Sequence, residues 1–405
     1  MSQAEHFTFF VLEFEPILCM FVDLKRKRKG MHDILIIGGG LAGLINAIHL
    51  SKAGLSVVVL EKNDFPKHKV CGEYISNEVL PYLQSLGVDP FALGATSIDK
   101  FILGTSGGTE VTTTLPLGGF GISRYTLDHF LLQKAVSNGC VVVKTNVEKI
   151  EYQGRSFKVS TREGEEYLAT FVIGAYGKRS ALDGHLNRKF IETEAPFLAV
   201  KNHYKGSFPD DLVALHNFEG GYCGISKVEN DFINVCYLAN YKTFKKYRNI
   251  ETFQQEVLFK NPQLKDIFEG IQPTFAKPLT ISQVSFSSKK TIEQHVFMSG
   301  DAAGMIHPLC GNGMGMAIHS AKILAGLLVQ SFNAKSINRL SLEEQYAKRW
   351  KSTFQKRLNA GRFLNVFVSN HKILSAGIYG LQFFPKLFPF IIKQTHGEEL
   401  TAYQD

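Results

Sequence analysis

The chain of 405 residues holds one tryptophan, Trp350, and six cysteines, no two of them in a CxxC pair. Thiols so scattered indicate neither a dithiol redox centre nor a structural zinc site. In a chain this long they favour a reduced, cytoplasmic setting. There is no HExxH and no grouping of His, Cys and acids at metal-ligand spacing. Metal-dependent peptidases are thereby set aside, and no metal is expected. Zinc-finger spacing and aromatic–basic repeats are missing too, so nucleic acid is not an expected partner. The formal charge of +8 instead suits phosphorylated cofactors or an anionic membrane surface.

A long uncharged N-terminal run is also lacking. Phe9 to Val22 is short for a membrane span, contains Glu13, Glu15 and Pro16, and is followed by five basic residues at 25–29. A signal peptide places its positive charge ahead of the apolar run, not behind it. Residues 1–30 are thus expected to form a poorly ordered extension ahead of a core beginning near Met31. A weak surface anchor is the alternative.

Glycine, by contrast, is plentiful, and many of the 36 sit in clusters beside apolar runs. Asp33 to Ile37 reads as a buried parallel strand, Leu44 to Ala53 as a helix closed by Gly54, and Ser56 to Leu60 as a second strand. Strand, helix and strand in about thirty residues make a βαβ unit. Between them, Gly38-Gly39-Gly40-Leu41-Ala42-Gly43 carries GxGxxG, so that a helix N-terminus can meet a pyrophosphate. The second strand ends at Glu61-Lys62, where an acid can accept from an adenosine ribose hydroxyl and would repel a 2′-phosphate. The segment Asp33–Lys62 is therefore expected to hold a dinucleotide other than NADP.

Further along, Ile98 to Phe120 alternates like antiparallel strands, Leu127 to Ser137 looks helical, and Val147 to Val172 resembles a meander returning to Ile173-Gly174. Ala195 to Val284 favours strands around a helix near Phe253 to Leu258. Phe297 to Ser299 leads into Gly300-Asp301, and Gly313 to Gln330 is helical. A nucleotide-binding domain in three pieces (31–100, 121–190 and 290–335) is expected around a β-sheet substrate domain (101–120 and 191–289). A C-terminal helical region, 336–405, follows. Within it Leu342 to Ser369 reads as a helix and the Phe-rich stretch to Ile392 as a less regular apolar tail, packed as a lid or resting on a bilayer.

Gly300-Asp301-Ala302-Ala303-Gly304, then Pro308 and Gly311-Asn312-Gly313-Met314-Gly315, opens the late helix. Such a start offers free N–H groups to an electron-rich ring edge. With the first glycine loop, this pattern resembles the FAD-dependent oxidoreductases of the geranylgeranyl-reductase-related group. That group lies within the aromatic-hydroxylase and flavin-dependent halogenase superfamily. The resemblance covers about Asp33 to Gly397. It implies an α/β fold with a Rossmann-like FAD-binding domain and an inserted, mostly antiparallel substrate domain. It implies FAD as cofactor, Asp301 on the ribityl chain and Gly311–Gly315 along the flavin ring.

Pro66 to Glu73 resembles the P-x-x-K-x-C-G segment of the reductase branch, on the strength of Lys69, Cys71 and Gly72. Arg124 to Asp128 matches an R-x-x-x-D helix start, with Arg124 near the cofactor; on its own it is an i,i+4 pair. Val147, Gly174 and Ala175 complete the expected cofactor contacts. At Tyr176-Gly177 the chain departs from the hydroxylases' Asp-Gly, which puts direct nicotinamide handling in doubt. NADPH, NADH or a donor protein remain as electron sources. Gly221 to Ser226 lacks the halogenase tryptophans, and Cys223 and Gly224 would leave room for an apolar substrate.

The resemblance implies hydride transfer from reduced FAD to a carbon–carbon double bond of a lipid-like, isoprenoid or carrier-bound polyketide substrate. Cys71, Tyr74 and His307 are the candidates for the catalytic proton. The alternatives are a monooxygenase acting on an aromatic or polyene substrate and a non-catalytic, membrane-peripheral FAD protein. A cytoplasmic protein with peripheral membrane contact suits all three.

Overall fold

The central strand of the nucleotide-binding half, Met31–Ile37, lies parallel to Val57–Glu61 on one side and to Glu166–Gly174 on the other. The computed structural model describes residues 30–403 apart from 248, 335, 370 and 385. The expected N-terminal extension, with its basic run and Cys19, therefore lies outside the described residues except for Gly30. Val141–Lys144 and Val296–Met298 extend the sheet, both parallel to their neighbours, and Ile292–Glu293 closes one edge antiparallel. Ile34 to Ile37 and Val57 to Leu60 are buried on both faces. This is why these strands read as continuous apolar runs rather than as alternation. The meander forms as Val147–Tyr152, Phe157–Thr161 and Glu166–Gly174.

Helix Leu41–Lys52 covers this sheet and packs against Gly313–Asn333. Among the described residues, Gly313–Asn333 alone is long and apolar enough to cross a membrane, and half of its apolar window is buried inside the molecule. It is the strap between the late glycine loop and the core.

The second sheet runs, in spatial order, Ile271–Pro273, Phe197–Gly206, Ile233–Asn240, Gly221–Lys227, Leu212–Phe218, Thr96–Gly104, Glu110–Gly121 and Tyr74–Ser76. Its pairings are antiparallel except between Leu212–Phe218 and Thr96–Gly104. One face packs with Phe253, Val257 and Leu264 from short helices. The other, through Ala199, Leu215, Tyr222 and Leu238, meets Met305 and Leu309 of the late glycine loop. The two sheets thus form an α/β molecule whose functional loops lie between them.

The C-terminal tail is more regular than its sequence suggests. Arg339–Ser369 is one helix, followed by His371–Phe383 and Leu387–Lys393. Leu374, Ile378 and Leu381 recur at helical spacing and pack against Val111 and Leu115 of the second sheet. Pro389 falls in the first turn of its helix, where the missing N–H has no intrahelical acceptor to lose.

Candidate functional site

Three strand ends converge. Gly38 N–H donates to Leu60 O at 2.9 Å, Ala175 N–H to Ile37 O at 2.8 Å, and Ser299 N–H to Gly174 O at 3.0 Å. Gly38 has φ +104, and a Cβ there would come within 2.5 Å of Ala175 O. A Cβ on Gly43 would overlap Gly38 O outright. At Gly40 the reverse holds: the nearest atoms to a Cβ would be Arg124 Nη2 at 3.8 Å and Lys69 Nζ at 4.0 Å. The helix beginning at Leu41-Ala42 has no side-chain cap and no acid in its first turn. Free N–H groups and two cations thus face one small space, which fits a pyrophosphate.

Those cations are held from beneath. Arg124 Nε and Nη2 reach Asp128 Oδ1 and Oδ2 at 2.7 Å, and Lys69 Nζ reaches Oδ2 at 2.7 Å. Asp128 is buried. Burial opposes its ionisation, but Arg124 and Lys69 outweigh that and hold its carboxyl below the usual range. Burial likewise works against the Arg124 charge, and Asp128 keeps it firmly protonated. The i,i+4 pair expected from sequence is present, and Lys69, 59 residues upstream of Asp128, joins it.

Glu61 is buried, with Oε2 accepting from Gly39 N–H at 2.7 Å and Oε1 from Asn63 N–H and Nδ2 at 2.8 and 2.6 Å. Its carboxylate is fixed beside the glycine loop with lone pairs left for a ribose hydroxyl. Lys62, next in sequence, is exposed. Val147 is buried, two residues after Thr145, whose N–H donates to Glu61 O at 2.9 Å.

Across the convergence, burial pushes the Asp301 carboxyl up, against the pull of Lys289, Arg124 and Lys178. Lys289 Nζ clamps this loop, donating to Asp301 O at 2.8 Å and Lys178 O at 2.6 Å. Buried Arg188 pairs with Asp183 at 2.8 Å and donates to Ala302 O at 2.8 Å. Tyr176 turns inward: its hydroxyl lies 3.4 Å from Arg188 Nη1 and 3.4 Å from Met298 Sδ. Lys178 and Arg179 donate to the carbonyls of Ser282 and Ile191.

The late loop turns at exposed Pro308 and at Gly311, φ +63, before helix Gly313–Asn333. Buried Asn312 donates to Glu78 Oε1 at 3.3 Å and Thr395 O at 3.2 Å; Arg357 Nη1 reaches the same Glu78 oxygen at 3.1 Å. A Cβ on Gly315 would strike Asn312 Oδ1, whereas one on Gly313 would meet nothing within 4 Å. The helix start is therefore rigid behind and open in front.

The three proton candidates occupy different places. Cys71 Sγ lies 3.4 Å from Met314 Sδ, and Asn234 Nδ2 holds Gly72 O at 2.8 Å. Burial pushes the Cys71 thiol up, so it is a neutral S–H rather than a thiolate. The Tyr74 ring packs against Gly119 and Gly311, and burial raises its phenol. His307, whose Nδ1 accepts from Leu309 N–H at 3.4 Å, lines a small cavity of about 80 Å³ with Phe286, Met305, Leu358 and Arg362. On strand Gly221–Lys227, period-two alternation sends Cys223 into the helix-backed core and Tyr222 toward the loop. The expectation that Cys223 makes room for substrate is corrected: of the pair, Gly224 and not Cys223 shares the Tyr222 face.

Sequence reasoning missed a buried ionic cluster beneath Lys69–Glu73. Glu73 Oε1 is paired with Lys201 Nζ, and Oε2 lies 2.7 Å from His203 Nε2. The Arg124 N–H donates to Glu73 Oε1 at 2.8 Å, and Lys201 Nζ also reaches Lys69 O at 3.2 Å. Glu73 itself adopts φ +54. The Gly-Glu dipeptide was visible in sequence; its partners, about 130 residues away, gave no local signal.

A βαβ unit with an uncapped glycine loop, an acid at the end of its second strand and a second glycine-rich helix start across the sheet define a dinucleotide-dependent oxidoreductase. The chain belongs to the FAD-binding domain family, whose model matches residues 31–350, and is an FAD-dependent oxidoreductase with FAD as its cofactor. It is 27% identical to a digeranylgeranylglycerophospholipid reductase of Methanosarcina acetivorans, over 80% of this chain and 82% of that protein. It is 23% identical to a tryptophan 2-halogenase of Chondromyces crocatus, over 79% and 65%. In fold it resembles the flavin-dependent brominase Bmp2, with a TM-score of 0.72 at 19% identity, covering 90% of this chain and 93% of that one.

Proposed function

We propose that the protein reduces carbon–carbon double bonds of a lipid-like substrate, isoprenoid or carrier-bound, with reduced FAD as the hydride source. The observation that carries this reading is the apolar wall facing the late glycine loop. Ala199, Leu215, Tyr222, Leu238 and Val284 join Phe286, Met305 and Leu309 in one cluster, and Gly224 adds no side chain. Such a wall would offer a hydrocarbon chain an apolar, water-poor surface. The relatedness to a digeranylgeranylglycerophospholipid reductase supports the same substrate class.

When bound, FAD supplies the hydride. Arg124, Lys69 and the N–H groups following Gly40 would hold its pyrophosphate, and Glu61 the adenosine ribose. Asp301 would hold the ribityl chain. The open helix start at Gly311–Gly315, braced by Asn312, would hold the ring edge. Gly38, Leu41, Ala42, Gly43, Gly72, Val147, Gly174, Ala175, Ala302 and Pro308 would shape the walls through backbone and close packing, with Lys62 at the exposed rim. Cys71, Tyr74 and His307 are the candidate donors of the proton to the neighbouring carbon. Burial keeps the first two protonated and makes them weak acids, and His307 packs against Tyr222 and Phe286 of the apolar wall. With Tyr176 turned inward, electrons would come from NADPH, NADH or a donor protein. A cytoplasmic location with access to membrane lipid suits this substrate.

The test is single-turnover and anaerobic. Dithionite-reduced protein, freed of excess reductant, is mixed with a polyprenyl lipid and followed near ~450 nm, where oxidised flavin absorbs. Lipid-dependent return of the absorbance, with a saturated product, supports the reading. Flavin that stays reduced until oxygen is admitted, and then yields an oxygenated lipid, refutes it in favour of monooxygenation.

A further inference from the structure

Residues 345–397 contain six Lys, three Arg and no Asp or Glu. Within this stretch, helices His371–Phe383 and Leu387–Lys393 bury one face on the second sheet through Ile378, Leu381, Phe388 and Ile392. Their opposite face is equally apolar. Tyr379, Phe383, Phe384 and Phe390 are 61, 73, 69 and 60% exposed, and Leu387 is 47% exposed. Other exposed large apolar residues, such as Phe91, Leu168 and Tyr241, are scattered singly along the chain. A helix apolar all round belongs in a core or against lipid, and four exposed aromatic rings within twelve residues exceed what an ordinary solvent face carries. Lys386 and Lys393 are exposed on the same pair of helices.

We propose that this face docks on a membrane surface rich in anionic lipid. The aromatic side chains enter the boundary between headgroups and acyl chains, and Lys386 and Lys393 meet the headgroup phosphates. A second copy of the chain fits the face less well, because two such surfaces would bring Lys386 and Lys393 against like charges, with no acid among residues 345–397 to compensate them. Docking here would also bring bilayer lipid to the face of the second sheet that carries the apolar wall, since Phe101 and Leu103 pack with both groups. The inference rests on this surface alone and stands or falls separately from the double-bond reading.

The experiment is flotation of the FAD-loaded full chain with vesicles of phosphatidylcholine alone, or of phosphatidylcholine mixed with phosphatidylglycerol. The wild type is expected to float with the anionic vesicles and to be released by salt. Phe383→Ser/Phe384→Ser/Phe390→Ser, all at exposed positions, should lower partitioning at least about tenfold. Lys386→Glu/Lys393→Glu should abolish the preference for phosphatidylglycerol, and Phe91→Ser should float like wild type. Circular dichroism and bound-flavin absorbance confirm that each variant is folded. A wild type that stays down with both vesicles overturns the proposal, as does a triple-serine variant that floats unchanged. A lipid-free oligomer that the triple variant dissolves would assign the face to a second copy instead.

Discussion

Lys201→Met is the sharpest probe of the buried cluster beneath the cofactor segment. Lys201 and Glu73 are both fully buried, and removing one partner of such a pair costs about 3–5 kcal/mol because it strands the other charge. His203 and the Arg124 N–H stay on the Glu73 carboxylate, which places the expected loss at the lower end, about 3 kcal/mol. That is roughly a hundredfold in the folding equilibrium. The loss should also depend on pH. In the wild type, burial works against ionisation of Glu73, but Lys201 and His203 outweigh it and hold the carboxyl below its ordinary value. Its stabilisation is therefore present above the unfolded carboxylate's pKa and is lost as pH falls through the lower folded value. In Lys201→Met the carboxyl rises, so a proton can relieve the stranded charge. The deficit should then be largest near about pH 8 and shrink toward about pH 5. Equilibrium urea unfolding followed by circular dichroism measures it at both pH values. Glu73→Gln/Lys201→Met should recover much of the loss, since no charge remains to strand. A deficit under about 1 kcal/mol, or one identical at both pH values, would refute this account of the cluster.

Gly43→Ala should yield protein with little bound FAD, read from the ratio of flavin to protein absorbance, because its Cβ would overlap Gly38 O and push the helix off the strand. Arg124→Leu removes one of two cations at the pyrophosphate position and leaves Asp128 to Lys69 alone. Titration of apoprotein should show FAD affinity weakened by about 2–3 kcal/mol, and unchanged affinity would remove Arg124 from the site. Burial holds His49 and His216 down to about 4, so both are neutral in the folded protein. The unfolded chain takes up those protons near pH ~6.5, so stability should fall between about pH 6.5 and 4; a pH-independent melting temperature across that window would contradict it.

The parts of the fold legible in sequence are those whose signal is local. Ile34 to Ile37, the glycine loop and Val57 to Glu61 lie within about thirty residues, and each step follows from periodicity or backbone freedom. The late loop was legible for the same reason. Helix Pro262–Glu269 left signs, an Asn261 cap and Pro262 at its first position, but buries only Leu264 and so looks polar among strands. The C-terminal helices were obscured by apolar residues on both faces, which erase the amphipathic period. Tyr222 and Cys223 could not be assigned to faces until the register with Tyr237 and Leu238 fixed them. Glu73 lies 128 and 130 residues from Lys201 and His203, and Glu78 lies 279 from Arg357. Only the packing of the second sheet and of helix Arg339–Ser369 over these loops makes them neighbours.

The most direct test of the proposed chemistry is mass spectrometry of a polyprenyl lipid turned over by the reduced protein in deuterated water under labelled dioxygen. The predicted product gains hydrogen across a double bond, with deuterium on both of its carbons, because the N5 hydrogen of reduced flavin exchanges with solvent, and carries no labelled oxygen. A product carrying the oxygen label, with its double-bond hydrogens otherwise unchanged, would contradict the proposed chemistry.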